Sequence, residues 1–301
     1  MNGTIAFLAP ALLLAATSAF AEPMIDPEVA PGGGQLEAQA HFGVATTPFD
    51  VTSLPEAKGQ AFVLVAAGRY AVSKPLSFDL YAPLVLGSVA QPAGSYVDVA
   101  AVANPQLAAR YRFFERHGGR AALVVDGAVQ VGAPLASHAE NLMPNRALAI
   151  ADGIEGRARP EWFTPGVAPL TASGALRWAA AGWLLEADVR LPLLVRVSEA
   201  DLPSSTTDTK TLGFAAVAGV GARYRLSRRF SLAAAAHLFF DIAPVSAHVR
   251  DVSRLQDFER LSLHVHLGSR AALVVDAQTA IAGDLGGSTV AGGMRGVVSL
   301  H

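Results

Sequence analysis

Residues 185–196 read Leu-Glu-Ala-Asp-Val-Arg-Leu-Pro-Leu-Leu-Val-Arg. Leu185, Ala187, Val189, Leu191, Leu193 and Val195 alternate with Glu186, Asp188, Arg190 and Arg196. In an extended strand, successive side chains point to opposite faces, so this stretch has one apolar face and one charged face. The pattern recurs along the chain. Gln35, Glu37, Gln39 and His41 interleave with Leu36, Ala38, Ala40 and Phe42. Ser231, His237 and Asp241 sit between Phe230, Leu232, Ala234, Ala236, Leu238 and Phe240. Arg260, Ser262, His264 and His266 interleave with Leu261, Leu263, Val265 and Leu267. Strands of a soluble sandwich run to about 5–6 residues. These run to about 10 or more, the length a tilted strand needs to cross a bilayer.

Composition agrees with dispersed apolar residues. The chain of 301 residues is 51% hydrophobic and 16% charged, with a mean hydropathy of +0.36. Past the N-terminus no apolar run reaches the roughly 20 residues a spanning helix needs. A formal net charge of -2 argues against a nucleic-acid partner, which calls for a strongly basic face. The absence of cysteine excludes disulfides and thiolate chemistry.

Ile5 to Ala16 has the length of a signal-peptide core, and Ser18-Ala19-Phe20-Ala21 before Glu22 supplies small residues at the cleavage positions. The expected organisation is a signal peptide over 1–21, a periplasmic leader over 22–34 and a barrel over 35–301. Tight turns are expected at Ser73-Lys74-Pro75, Glu115 to Gly119, Ala181-Gly182, Ser227-Arg228-Arg229 and Gly268-Ser269. Longer polar connections are expected at Thr47–Gln60, Gly87–Tyr96, Gly132–Leu170, Ser198–Lys210, Ala243–Asp257 and Gly283–Ser288. Strict alternation of short and long connections is the rhythm of outer-membrane barrels, with short periplasmic turns and long outer loops. The fold expected is an all-β, transmembrane, antiparallel up-and-down barrel of about 12 strands. A further hairpin around Arg146 to Glu155 is open. Arg120–Asp126 and Arg270–Asp276 both read RAALVVD, and Arg69-Tyr70 echoes Arg223-Tyr224; the spacing suits a duplicated half-barrel, and the plainer reading is that barrel strands draw on a narrow menu of residues.

Asn104 to Phe113 (NPQLAARYRF), a turn and then RAALVVD resemble proteobacterial barrels described as outer-membrane transporters of the meta-pathway for phenol degradation. The same residues are similar to the barrel halves of OmpA-type proteins. The Arg-Tyr-Arg before a periplasmic turn falls on Arg110-Tyr111-Arg112 and Arg223-Tyr224-Arg225. The resemblance implies the barrel and outer-membrane location. This chain departs from the pattern by ending in Leu300-His301, without a terminal aromatic.

With the apolar face on lipid, the lumen receives the polar set. Candidates for a solute path are Arg110, Arg112, Arg190, Arg196, Arg223, Arg225, Glu186, Asp188, His237, His264 and His266. Two readings compete: guanidinium–carboxylate pairs lacing the lumen shut, or an Arg track that eases anions through. His237, His264 and His266 share one face of two consecutive strands, where hairpin register would gather them into a pH-sensitive or metal-binding cluster; the plainer reading is three wet lumen residues, and no metal or cofactor is assigned. Tyr70, Tyr111, Tyr224, Trp178 and Trp183 read as an interfacial girdle. The connection Gly132–Leu170, with His138, Glu140, Arg157, Arg159, Trp162 and Phe163, reads as a solvated surface loop, with inward folding into the pore as the rival. No Ser–His pair lies on the lipid face, and no phosphate-cradling loop precedes a helix, so no enzyme is indicated. The expected function is passive transport of small, anionic or aromatic solutes. Its rivals are a closed barrel working through its outer loops and a soluble periplasmic barrel. Expected partners are outer-membrane lipid, the barrel-assembly machinery and small solutes.

Overall fold

The computed structural model describes residues 31–51, 54–91, 94–118, 121–136, 142–197, 211–243, 255–267, 271–281, 283 and 288–300. The expected signal peptide, most of the leader, Arg120, Arg270, His138 and Glu140 lie outside these residues. The strands are β1 (Gly34–Val51), β2 (Leu54–Ala71), β3 (Leu76–Ala90), β4 (Tyr96–Val102), β5 (Gln106–Gly118), β6 (Ala121–Gly132), β7 (Val167–Ala180), β8 (Trp183–Arg196), β9 (Leu212–Arg225), β10 (Phe230–Ala243), β11 (Leu255–His266), β12 (Ala271–Thr279) and β13 (Val290–Leu300). Two helical pieces, α1 (Leu142–Ile154) and α2 (Pro160–Phe163), interrupt the series between β6 and β7.

Consecutive strands other than β4 and β5 pair antiparallel, and β1 also pairs with β13, Gly34 opposite Leu300, which closes the ring. β4 and β5 lie on the same edge of β3, β4 beside its upper half and β5 beside its lower half. They form one stave, broken at Ala103-Asn104-Pro105, where Pro105 has no N–H to donate. The closed barrel therefore has twelve staves. Closure is what hydrocarbon demands, because an open sheet edge would leave backbone donors and acceptors unpaired.

The alternation decides the two faces. β3 switches between buried and exposed at nearly every residue. Leu185, Val189 and Leu191 of β8 are exposed, while Asp188 and Arg190 between them are buried inside. The outer surface carries Phe42, Phe62, Leu80, Leu107, Val129 and Leu232 and their neighbours, an apolar belt too large for a surface in water. Tyr70, Tyr111, Tyr224, Trp178 and Trp183 lie on that outer surface near the short turns, with Trp183 and Tyr224 packed at 4.6 Å. No helix among the described residues is long and apolar enough to cross a membrane.

Several connections differ from the expected bounds, among them Gly87–Tyr96, which shortens to the residues between Ala90 and Tyr96. The long loop at Thr47–Gln60 contracts to residues 52–53, because β1 and β2 keep pairing through a register shift near Pro48. The Glu115–Gly119 turn tightens, since β5 continues to Gly118 past a bulge at Arg112/Phe114. The RAALVVD copies fall on β6 and β12, and the Arg-Tyr copies on β2 and β9; in both cases the separation is six staves.

Leu191→Arg places a charge on the lipid-facing surface of β8 and should cost about 2–4 kcal/mol if it lies at the midplane. Equilibrium unfolding from lipid vesicles measures this, and assembly with unchanged stability would contradict the facing described above.

Candidate functional site: a plugged lumen

The segment between β6 and β7 neither forms a hairpin nor stays outside. It enters the barrel. In α1 the residues Ala147, Leu148, Ile150, Ala151 and Ile154 are fully buried, spaced as one face of a helix. They pack on the inner wall of β1 to β4, which is apolar there: Ala45, Ala61, Val63, Val65, Val85 and Ala101. Both faces of β2 and β3 are thus covered, by lipid outside and by α1 inside. Gly59 and Gly87 face the helix, where a Cβ would stand 3.1 Å from Ile150 and 3.2 Å from Ala147. The expectations of a solvated loop and of a hairpin around Arg146–Glu155 are both corrected. The physical reason is that this apolar helix face packs on the apolar inner wall of β1 to β4.

The chain leaves α1 through Gly156 and Arg157, both at positive φ. Gly156 cannot carry a side chain, since a Cβ would enter the Phe258 ring. The short α2 then buries Trp162 and Phe163, with Trp162 5.9 Å from Tyr81 and the Arg159 guanidinium 4.3 Å over the Trp162 ring.

Polar contacts fix the plug at defined points. Asn104, in the break between β4 and β5, donates from its backbone N–H to Trp162 O (2.7 Å) and from Nδ2 to Glu161 O (3.1 Å) and Thr164 O (2.9 Å). Its Oδ1 accepts the N–H of Ala136 (2.8 Å). Gln278 Nε2 donates to Ile154 O (2.7 Å), and His237 Nε2 donates to Gly156 O (2.7 Å). Glu155 meets His41 and stands 3.8 Å from Arg260, and both of these basic groups also approach Asp276. Glu161 lies against Arg190, both side chains at most 1% exposed, and Arg190 also donates to Ala158 O.

Below the plug, toward the short turns, the wall is laced by its own ion pairs. Asp79 receives Arg69 Nε at 2.5 Å and Arg110 Nη2 at 2.7 Å. Asp126 holds Arg177 and Arg112, and Arg177 continues to Glu186 at 3.0 Å. Arg112 Nη1 also reaches Glu115 at 3.0 Å.

The sequence candidates therefore separate into groups. Arg110, Arg112 and Glu186 belong to the lacing, and Arg190 and His237 hold the plug. Asp188 is buried on the lumen wall. Arg196 is half-buried at the far end of β8, and Arg225 is exposed at the end of β9. The expected gathering of His237, His264 and His266 does not occur. In the β10–β11 ladder His264 faces Ser231 and His237 faces Phe258, six residues further along, or roughly 20 Å at about 3.3 Å per residue. His264 instead sits 3.4 Å from Arg223, and His266 3.3 Å from Ser231. Among the described residues no three acid or His side chains are grouped as a metal site.

Asn104, Gln278, His41, Glu155 and Glu161 carry the plug and are not among the sequence candidates for the solute path. Two signals were available. Ala61–Ala67 (AFVLVAA) is apolar on both parities, which marks a strand covered on both sides. Asn104-Pro105 is a break signal inside a strand pattern.

No protein-family model and no characterised protein sequence matches the chain. Solved structures do. An outer-membrane channel from Pseudomonas putida F1 is similar with a TM-score of 0.63 and 14% identity over 93% of this chain and 100% of that one. The transport unit of the autotransporter AIDA-I from Escherichia coli gives 0.51 and 10% over 98% and 97%. The NanC porin gives 0.50 and 7% over 88% and 99%. These likenesses show the fold, an outer-membrane β-barrel.

Two predictions follow from the packing. Asp79→Asn leaves two buried guanidiniums without their carboxylate and should destabilise the barrel by about 3–5 kcal/mol, read as a lower temperature for the heat-modifiable shift on a gel. In α1, burial pushes the Asp152 carboxyl up to about 6 against the pull of Arg157, with Asp241 and Glu155 adding repulsion. An acid raised in the folded state favours that state when protonated, so this contribution is present at low pH and lost as pH rises through about 6. The protection of residues 142–163 against hydrogen exchange, relative to the intrinsic rate at each pH, should be greater at pH 5 than at pH 7.5, and Asp152→Asn should reduce the difference.

Proposed function

We propose that the protein is a passive channel for small solutes whose resting state is closed by the inserted 142–163 segment. The observation that carries this reading is the composition of the wall behind the plug. A barrel of eight strands is just filled by its own side chains; twelve staves enclose more room, and here a chain segment occupies it. A purely structural barrel has no need of so wide a lumen. The segment is a connection between β6 and β7, so it is tethered at both ends to the outer mouth and is free to leave the lumen without unthreading.

The wall it would uncover is mixed. One side, β2 to β4, is apolar. The other, β5 to β8 and β11, presents Gln106, Gln130, Thr171, Arg190 and Arg260. Arg190 and Arg260 are the cations of that side, and cations lining a water-filled path favour anions. Small anionic or amphipathic solutes fit that lining. The closed structural barrel is the second reading, and the Arg–carboxylate lacing below the plug is the observation that favours it.

Replacing residues 142–163 by a short Gly-Ser linker separates the two. The full-length protein, purified in detergent and inserted in a planar bilayer, should be mostly silent, and the replaced protein should conduct in discrete steps. A replaced barrel that remains heat-modifiable yet silent would mean that the lacing alone seals the lumen.

A further inference from the structure

The contact between Glu161 and Arg190 is unlike the lacing below it. In the lacing, both partners belong to the wall. Here the cation is on β8 and the carboxylate comes from the plug, and both are buried to at most 1% exposure. Arg190 therefore exchanges its partner whenever the plug moves. The nearest acid on the same face of β8 is Asp188, two residues away, or about 7 Å along a strand.

The wall beside Arg190 is prepared for a further hydrogen-bonding group. Gln130 and Thr171 face one another across β6 and β7, and both are fully buried. In the closed state neither Gln130 Nε2 and Oε1 nor Thr171 Oγ1 has a hydrogen-bond partner among the described residues. Buried polar atoms left unpaired in this way are costly, and a cluster of them marks a place where a group is missing. Ser173, the next inward residue of β7, is directly opposite Arg190, so Thr171 and Gln130 stand on the diagonal from the guanidinium. A guanidinium, a carboxamide and a hydroxyl on the inner face of three neighbouring staves, β6 to β8, supply the donor types that recognise a carboxylate.

We propose that Arg190, Gln130 and Thr171 form the binding seat for a small carboxylate solute, and that Glu161 of the plug occupies it in the closed state as an internal surrogate. This rests on the channel reading above and names its substrate class. The solute's carboxylate competes with Glu161 for Arg190 and brings acceptors for the Gln130 amide and the Thr171 hydroxyl, which Glu161 leaves unpaired. Binding of solute and seating of α2 exclude one another, so the solute shifts the plug toward the withdrawn state by as much as it prefers the vacated seat.

The test uses the full-length protein in planar bilayers, with propionate as the probe, and propionamide and chloride at matched ionic strength as controls. Propionate should raise the open probability of the wild type, and the two controls should not. Glu161→Gln should raise it without propionate by about ten- to a hundredfold, since it removes the charge that pairs the plug with Arg190. Arg190→Gln should open similarly and should no longer respond to propionate. Heat-modifiability of each variant confirms that the barrel is assembled; where Arg190→Gln fails to assemble, Gln130→Ala takes its place and should weaken the propionate response without abolishing opening. A propionate response that survives in Arg190→Gln, or that equals the response to propionamide, overturns the proposal. So does a closed Glu161→Gln channel in a protein insensitive to propionate. The barrel with 142–163 replaced distinguishes the two levels of the argument. If it is silent, the channel reading fails. If it conducts but propionate neither blocks it nor alters its ion selectivity, the channel stands and the carboxylate seat fails.

Discussion

The interior width of a twelve-stave barrel is the constraint on which the rest of the structure depends. Hydrocarbon requires every backbone donor and acceptor of the wall to be paired, so the sheet must close, and the number of staves then sets the diameter. The wall side chains alone do not fill that diameter. Two devices fill it here at different depths. Near the short turns, long Arg side chains lie over the inner wall and pair with Asp79, Asp126 and Glu186 on neighbouring staves. Above them, the chain itself turns inward and supplies α1 and α2. The change of device coincides with a change in the wall, from charged on the lower half of β2 and β3 (Arg69, Asp79) to apolar on the upper half (Ala61, Val63, Val85, Val89).

The two devices differ in what they contribute. A buried ion pair is weak evidence for stability, because desolvating both charges offsets much of their attraction. Its effect is directional: Asp79 accepts from two guanidiniums on two different strands, and so fixes their side chains across β2, β3 and β5. Apolar burial is non-directional and scales with area. Leu148, Ile150, Ile154, Trp162 and Phe163 supply most of that area for the plug, while Asn104, Gln278 and His237 determine where it stops.

The barrel was legible in the sequence because its signal is local. Alternation of the kind seen at Leu185–Arg196 assigns a face to each residue without knowledge of its partners, and short polar gaps mark the turns. The outward set, from Leu36 to Leu191, lies where the pattern places it, and the aromatic girdle follows. The plug was not legible in that way. Residues 142–154 are too short and too weakly patterned to announce a helix by themselves, and their helical state depends on an apolar partner more than fifty residues earlier. The deviation was visible from the partner's side, where Ala61–Ala67 fails to alternate. The His residues teach the converse lesson. Parity alone placed His237 with His264 and His266, but parity fixes only the face, and the register of the ladder set them six residues apart.

The arrangement of the plug's contacts has a consequence for how it would move. Its apolar helix rests on β1 to β4, and its tether to the wall at Asn104 lies at the break in the β4–β5 stave, where the pairing is already interrupted. The opposite side of the plug is held by hydrogen bonds and ion pairs to β8, β10, β11 and β12, through Arg190, His237, Arg260 and Gln278. Water or an anion can replace each of those polar contacts, whereas nothing small and soluble can replace the packing of Leu148 and Ile150 on the Val63 and Val85 wall. On the channel reading, opening therefore begins on the β8–β12 side, with β1 to β4 as the surface against which the segment pivots.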